Sequence, residues 1–335
     1  MSGFLPTLSF SSVMCRSHLL RAIRVFFEGR GFVEVQTPVL SADTVVDRFV
    51  EPIFVNDESL PLTYRNDRNY YLQTSPEFAM KRLLSAGFDA IFQICPAFRR
   101  WDRGVLHNIE FTMLEWYRVG DDYYSGMRFL WELVSSVLGN SLFQHLERNF
   151  SEISFVKFDE IFTKYVGKNY RGLSIEKFRV IADERGIGYP ESFLGEGNEL
   201  LWIDLLFSEL VQPELRAAIV YDYPEGQSQL AKCRTNDEGV VVSERFELFL
   251  GGVEVANGYN ELTDAKELRE RLSRVSAARV LDGAAVLPVE SRLLRAMEYG
   301  LPESSGTALG VDRLLLYILG AKSIDDVIAF PIEYC

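Results

Sequence analysis

The 335-residue chain is poor in the residues that build soft metal sites and covalent frameworks. Its four cysteines, Cys15, Cys95, Cys233 and Cys335, stand singly with no Cys-x-x-Cys pair, and its histidines are His18, His107 and His145. Scattered thiols argue against a disulfide framework and for a reducing, cytoplasmic setting. So few Cys and His ligands argue against a zinc site. Long apolar runs are lacking too. LWIDLLFSELV and LGVDRLLLYILG are broken by charges, and MSGFLPTLSF has no basic stretch ahead of its apolar one, so neither a signal peptide nor a membrane span is expected. Repeats, low-complexity tracts and Pro/Ser-rich linkers are missing, and nothing marks a domain boundary. Positive charge is in deficit: 35 Lys and Arg against 48 Asp and Glu give a net charge of −13. That field repels phosphate backbones and anionic lipids and disfavours nonspecific nucleic-acid binding. What is present, 47% hydrophobic and 13% aromatic residues, is the usage of a folded globular chain.

Residues 17–29 (SHLLRAIRVFFEG) place Leu19, Leu20, Ile23, Phe26 and Phe27 on one helical face, with Ser17 as an N-cap. FVEVQTP reads as a strand that must stop at Pro38. TSPEFAMKRLLSAG reads as a helix capped by Thr74 or Ser75, with Pro76 and Glu77 in its first turn. Residues from about 125 to 220 are mostly helical in pattern. Strands then return in RAAIVYDYP, VVSERFELFL and GVEVANGYNEL, and a helix, VDRLLLYILGA, follows a glycine-rich turn, SSGTALG. Strands outnumber βαβ units, so an α+β fold with a mostly antiparallel sheet flanked by helices is expected.

Three stretches could carry chemistry. Residues 91–118 read as a strand to Phe98, a polar loop with Arg99, Arg100, Asp102, Arg103 and His107, and a second strand from about Glu110. Alternation puts Phe111, Met113, Glu115 and Tyr117 on one face, a pocket-like mixture of carboxylate, phenol and apolar groups. The three arginines suit phosphate oxygens, although a solvated hairpin tip fits the same residues. In residues 243–262, Gly251-Gly252 reads as a two-residue hairpin pairing Leu250 with Val253 and Phe249 with Glu254. Glu247 then shares a face with Glu254, a pair suited to Mg²⁺ on a polyphosphate or to a salt-bathed surface. Simple alternation sets Asn257, Tyr259 and Glu261 on the opposite face, and a bulge near residues 256–258 is expected to bring them round. In residues 304–316, glycines precede a helix that carries Arg313 one turn in.

In this order the segments resemble the three signature motifs of class II aminoacyl-tRNA synthetases. TSPEFAMKRLL, HNIEFTMLEWYR, VEVANGYNELTDA and GTALGVDRLLL are similar to the lysine-specific branch. The resemblance spans nearly the whole chain and starts at the first helix, leaving no room for an N-terminal oligonucleotide-binding barrel. The ending MLEWYR and Ala308, where synthetases carry glycine, are most similar to the elongation factor P lysyltransferases, which are free-standing catalytic cores.

The resemblance implies a single catalytic domain over residues 1–335 with a mainly helical insertion at about 125–220. It implies that lysine or (R)-β-lysine is activated with ATP and Mg²⁺ as an aminoacyl-adenylate and passed to a lysine of elongation factor P, by a cytoplasmic homodimer that binds tRNA weakly and no membrane. Carried onto matching positions, Arg99 and Arg313 would be catalytic, Arg99 on the α-phosphate and the amino acid's carboxylate and Arg313 on the γ-phosphate. Phe111 would stack on adenine, His107 and Asn108 would line the ATP pocket, and Gly310 would lie near the nucleotide. Glu247 and Glu254 would bind Mg²⁺. Ser75 and Glu77 would receive the backbone amine; Glu115, Tyr117, Asn257, Tyr259 and Glu261 would surround the side-chain ammonium, with Ala308 shaping the floor. Where the family has a glutamate that helps read adenine, this chain has Trp101 and then Asp102, which takes that place if the loop shifts by one residue. A truncated lysyl-tRNA synthetase-like enzyme and a noncatalytic paralogue are the rival readings.

Overall fold

The computed structural model describes residues 4–140 and 153–335. In chain order its principal elements are α1 (Phe10–Glu28), β1 (Val33–Glu34), β2 (Leu40–Ser41), β3 (Phe54–Asn56), β4 (Asn69–Leu72), α2 (Glu77–Ser85), β5 (Ala90–Phe98), β6 (Glu110–Val119) and α3 (Tyr123–Leu138). There follow β7 (Ser154–Lys157), α4 (Phe158–Val166), α5 (Ile175–Arg185), α6 (Glu199–Leu206), β8 (Ala217–Pro224), β9 (Cys233–Thr235), β10 (Val241–Leu250) and β11 (Val253–Asn260). The last are α7 (Ala265–Leu281), α8 (Arg292–Gly300), β12 (Ser304–Gly310) and α9 (Val311–Leu319). These residues form two compact units. The first takes residues up to 140 and from 260 on, and the second takes 153–259. The class is α+β, with mostly antiparallel strands and flanking helices, as the sequence pattern indicates.

In the first unit, β5 and β6 form the expected hairpin, paired from Ala90↔Arg118 to Phe98↔Glu110. β12 lies along the other side of β6, from Ser304↔Val119 to Gly310↔Met113, and β1 runs parallel to β5. One face of this sheet is covered by α1, whose Leu19, Ile23, Phe26 and Phe27 are buried at helical spacing. Phe27 stacks on Phe92 of β5 at 4.6 Å, and Phe26 meets Phe129 of α3 at 5.3 Å. Truncating such a ring to alanine costs about 3–5 kcal/mol, so this aromatic cluster fixes the sheet against the helices. A small sheet, in the order β2-β4-β3, completes the unit.

Three local expectations are corrected here. α1 begins at Phe10 rather than near Ser17, because Ser9, not Ser17, accepts the hydrogen bond that caps it. The strand before Pro38 shrinks to Val33–Glu34, with one further bond from Val35 N to Phe92 O. SSGTALG is not a turn but the strand β12. Its small residues carry little strand propensity of their own, and pairing along β6 decides the conformation.

The second unit has β8, β10 and β11 antiparallel, β7 parallel to β8, and β9 paired with the start of β10. Its core is aromatic, with Phe158, Phe162, Phe178, Trp202, Phe207 and Phe249 buried together. The hairpin between β10 and β11 turns at Gly251 and Gly252, with φ of 60° and 77°. Those values favour glycine. Leu250↔Val253 and Phe249↔Glu254 pair as the sequence indicates. The expected bulge exists but sits at Val255, one residue before the expected stretch: Leu248 pairs with Ala256 and Phe249 with Glu254, leaving Val255 over. The register from Ala256 to Tyr259 is unbroken. The extra residue brings Glu254 and Asn257 to the same side as Glu247.

Candidate functional site

In the first unit, acidic side chains from three separate stretches converge. Ser75, just before α2, accepts a hydrogen bond from Glu77 N at 3.0 Å and donates its own hydroxyl to Glu115 Oε2 at 2.7 Å. Tyr117 donates to Glu115 Oε1 at 2.6 Å, since alternation on β6 sets the two side chains on one face. Glu77 and Lys81 lie four apart on α2 and so meet on one helix face, with Lys81 Nζ 2.5 Å from Glu77 Oε1. The same Nζ lies 2.5 Å from Glu261 Oε2. Glu261 is anchored by its backbone N–H to Ser304 O at 3.0 Å. On β12, Gly306 lies opposite Tyr117 and Ala308 opposite Glu115. A Cβ on Gly306 would overlap Glu261 Oε1 and the Tyr117 ring, so only glycine fits.

Burial makes these charges costly. Glu115 is 2% exposed. Its carboxyl is pushed from the usual 4.5 to about 8, first by burial and then by the charge of Glu77, against the hydrogen bonds from Tyr117 and Ser75 and the field of Lys81. Burial lowers the Lys81 ammonium's affinity for its proton, but Glu261 and Glu77 more than reverse that and hold it charged. Burial pushes Glu261 upward while Lys81 pulls it back. The Tyr117 phenol is raised by burial and by Glu115.

A second group in the same unit lies around the arginine loop. Phe111 shares its β6 face with Glu115, about 13 Å along the strand at ~3.3 Å per residue. The Arg99 guanidinium stands 5.1 Å from the Phe111 ring centroid, and its Nε is buried without a hydrogen-bond partner. A buried unpaired donor is costly unless a ligand completes it. Arg313 Nη2 lies 2.7 Å from His107 Nε2. Since arginine can only donate, that ring nitrogen accepts. Gly310 caps α9, and a Cβ there would merely touch Arg313.

The rest of the loop is used otherwise. Arg103 is bound by Glu333 and Asp325, at 2.6 and 2.9 Å. Asn108, buried, donates to Glu110 O at 2.7 Å and accepts from Ile332 N at 3.2 Å, so its amide fastens the C-terminal segment. Trp101 is 71% exposed beneath Arg100. Asp102 Oδ2 lies 3.7 Å from Arg99 Nη1.

In the second unit, Glu247 is buried with both oxygens engaged, Oε2 by Tyr223 OH at 2.6 Å and Oε1 by Arg245. Burial raises its carboxyl to about 7, Arg245 opposes the shift and Glu254 adds to it, which sets Glu254 electrostatically beside Glu247. Arg245 also donates to Asn257 Oδ1 at 3.3 Å, and Asn257 donates to Tyr259 OH at 3.0 Å. Tyr259 donates to Gln229. Among the described residues no cluster of three or more His, Cys, Asp or Glu forms a metal site. Two carboxylates supply hard oxygens but too few for a resident ion. They fit a Mg²⁺ that arrives on a polyphosphate.

The structure thus brings Ser75, Glu77, Glu115, Tyr117, Glu261 and Ala308 together in one unit, and in the same unit it sets Arg99 beside Asp102 and Phe111 and, as a separate pair, His107 beside Arg313. It brings Glu247, Glu254, Asn257 and Tyr259 together in the other. Sequence reading missed Lys81 and Arg245. Each had a signal, Glu77 at i−4 on a helix and Glu247 at i+2 on a strand, but such spacing is equally common in solvated surface pairs.

Comparison with known proteins agrees with this geometry. Residues 9–334 match the family described as tRNA synthetases class II (D, K and N). A protein of Pectobacterium atrosepticum named elongation factor P–(R)-β-lysine ligase is 36% identical over 334 residues, covering 98% of this chain and 97% of that protein. Proteins of the same name from Mannheimia succiniciproducens and Pasteurella multocida are 38% and 37% identical, again over 98% of this chain and 97% of theirs. A class II signature fold, an arginine loop facing a phenylalanine, and relatives matched end to end lead to one assignment: the chain belongs to the class II (D, K and N) tRNA synthetase family, on the branch of the elongation factor P–(R)-β-lysine ligases.

Proposed function

We propose that the protein is an ATP-dependent ligase that activates lysine or (R)-β-lysine as the aminoacyl-adenylate and transfers it to a lysine side chain of elongation factor P. The observation that carries this reading is the buried convergence of Glu77, Glu115 and Glu261, three carboxylates from separate stretches, near a single internal ammonium. A guest with amine groups satisfies such a site, whereas an apolar guest leaves buried charges unpaired. Ser75 and Glu77 take the backbone amine; Glu115, Tyr117 and Glu261 take the side-chain ammonium, with Asn257 and Tyr259 assigned to the same task by resemblance.

In the first step the substrate carboxylate is itself the nucleophile. Its oxygen bonds to the α-phosphorus, pyrophosphate leaves, and no side-chain base is needed. The chain contributes alignment and charge cancellation. Arg99, with its unpaired Nε, holds the α-phosphate, Phe111 stacks on adenine, and Arg313 and His107 meet the outer phosphates. Glu247 and Glu254 would hold Mg²⁺, which supplies further neutralisation of the phosphates when bound. Asp102 stands close enough to Arg99 to act in place of the glutamate that Trp101 replaces.

We read the chain as one catalytic core with residues 125–220 as a mainly helical insertion, working in the cytoplasm as a homodimer joined through α1. Phe10, Val13 and Met14 project from that helix, and Phe10 is 82% exposed. Among the described residues no helix is long and apolar enough to cross a membrane. The charge of −13 supports a protein acceptor over tRNA. Pyrophosphate exchange with lysine, (R)-β-lysine and norleucine tests the first step, and acceptor assays with elongation factor P and tRNA test the second. Exchange with norleucine as good as with lysine, or transfer to tRNA alone, would overturn the reading.

A further inference from the structure

Lys81 is 1% exposed, as is Glu261. Its ammonium touches Glu77 and Glu261 and lies 6.0 Å from the centroid of the Tyr117 ring. The groups that face it are Glu77 on its own helix, Glu261 beside β12, and Glu115 and Tyr117 on β6. Cys95 of β5 in turn feels Glu115. α8 packs against α2, but its charges are directed elsewhere, with Arg292 and Arg295 on Tyr64 and Glu298 on Arg269. A buried ion cluster is a poor device for stability alone, since desolvation offsets most of its attraction. Its arithmetic is more telling. Three carboxylates and one ammonium carry a net charge of −2 when ionised, which the two ammonium groups of a diamino acid cancel, its own carboxylate being assigned to Arg99, and which a single ammonium does not.

We propose that Lys81 is a built-in counter-cation of the amino-acid pocket, a positioning residue that pairs with Glu77 and Glu261, holds both in place and sets the pocket's charge to match a diamino guest. This rests on the function proposed above. Lys81 stays put when the guest enters, because it is rooted in α2 and bound on two sides. Glu115, held only by the hydroxyls of Ser75 and Tyr117, is then the carboxylate with no cation in contact and the first to receive the side-chain ammonium, while Glu77 still receives the backbone amine.

The test is pyrophosphate exchange with lysine between about pH 6 and 9, across the range in which buried carboxyls of this kind titrate. If the unaltered protein activates no diamino acid, the functional reading fails and the role of Lys81 with it. If it does, Lys81→Met should raise the KM for lysine about 100-fold at pH 8, the scale of breaking a buried pair, with the KM for ATP unchanged. That defect should shrink toward pH 6, where a proton on Glu261, whose carboxyl burial raises to about 7, replaces the lost charge. Lys81→Arg should keep the original pH profile. Should Lys81→Met not fold, calorimetry with lysine decides: Lys81→Met/Glu261→Gln restores the net charge of −2 and should bind lysine at least as tightly as Glu261→Gln alone. A loss independent of pH and equal in Met and Arg variants, or a double variant weaker than Glu261→Gln, would overturn the proposal.

Discussion

Replacing Glu115 by glutamine should separate stability from activity. The carboxyl is buried and its titration is raised from 4.5 to about 8, so the folded protein binds its proton over a pH range where the unfolded chain has lost it. A raised acid of this kind gives its full stability below about pH 4.5, and that stability is lost as pH climbs through about 8. A shift of this size corresponds to an upper bound of about 5 kcal/mol at pH 9. Glutamine cannot ionise and escapes that loss. It keeps one acceptor, however, while Ser75 and Tyr117 both donate to the present carboxylate, and a misplaced donor costs about 1–3 kcal/mol. Glu115→Gln should therefore gain a few kcal/mol of stability at pH 9 and little or nothing at pH 5, read by urea unfolding at both. In pyrophosphate exchange the same variant should lose lysine activation by about 100-fold or more, the scale of removing one member of a buried charge pair, while its affinity for ATP persists. A stability difference equal at both pH values would refute the electrostatic reasoning, and unchanged activation would remove Glu115 from the site.

Two further outcomes are expected. Gly306→Ala places a methyl against Glu261 and the Tyr117 ring, and overpacking of this kind costs about 1–3 kcal/mol; calorimetry should show a lower melting temperature, and exchange a weaker KM for lysine with that for ATP unmoved. Arg99→Ala removes the guanidinium over Phe111 and should lower kcat/KM for ATP by about 100-fold, the scale of losing one preorganised donor, as read by pyrophosphate exchange.

The hairpin that holds Phe111, Glu115 and Tyr117 was legible because alternation and a polar loop both announce themselves in one sequence stretch, and pairing from Phe98 to Glu110 closes it. The Gly251-Gly252 turn was legible for a similar reason, since two adjacent glycines leave few other conformations. The bulge was legible as a need and not as a position: parity requires one extra residue somewhere, but whether Val255 or its neighbour takes it depends on packing against β10. β12 was hidden because its serines, glycines and alanine say little until β6 lies beside them. Lys81 was hidden more deeply. A lysine four places after a glutamate reads as a surface pair, and only Glu261, 180 residues further on, turns it into an internal charge.

The arginine loop is moored from outside itself. Arg103 is held by Glu333 and Asp325, and Asn108 receives the backbone of Ile332, so residues beyond Pro331 keep one guanidinium occupied while Arg99 retains an unused donor. Cutting the chain just before Ile332 would leave Arg103 with Asp325 alone of these two carboxylates and Asn108 without its backbone donor. The fastening of the arginine loop is thus written partly in the last four residues of the chain.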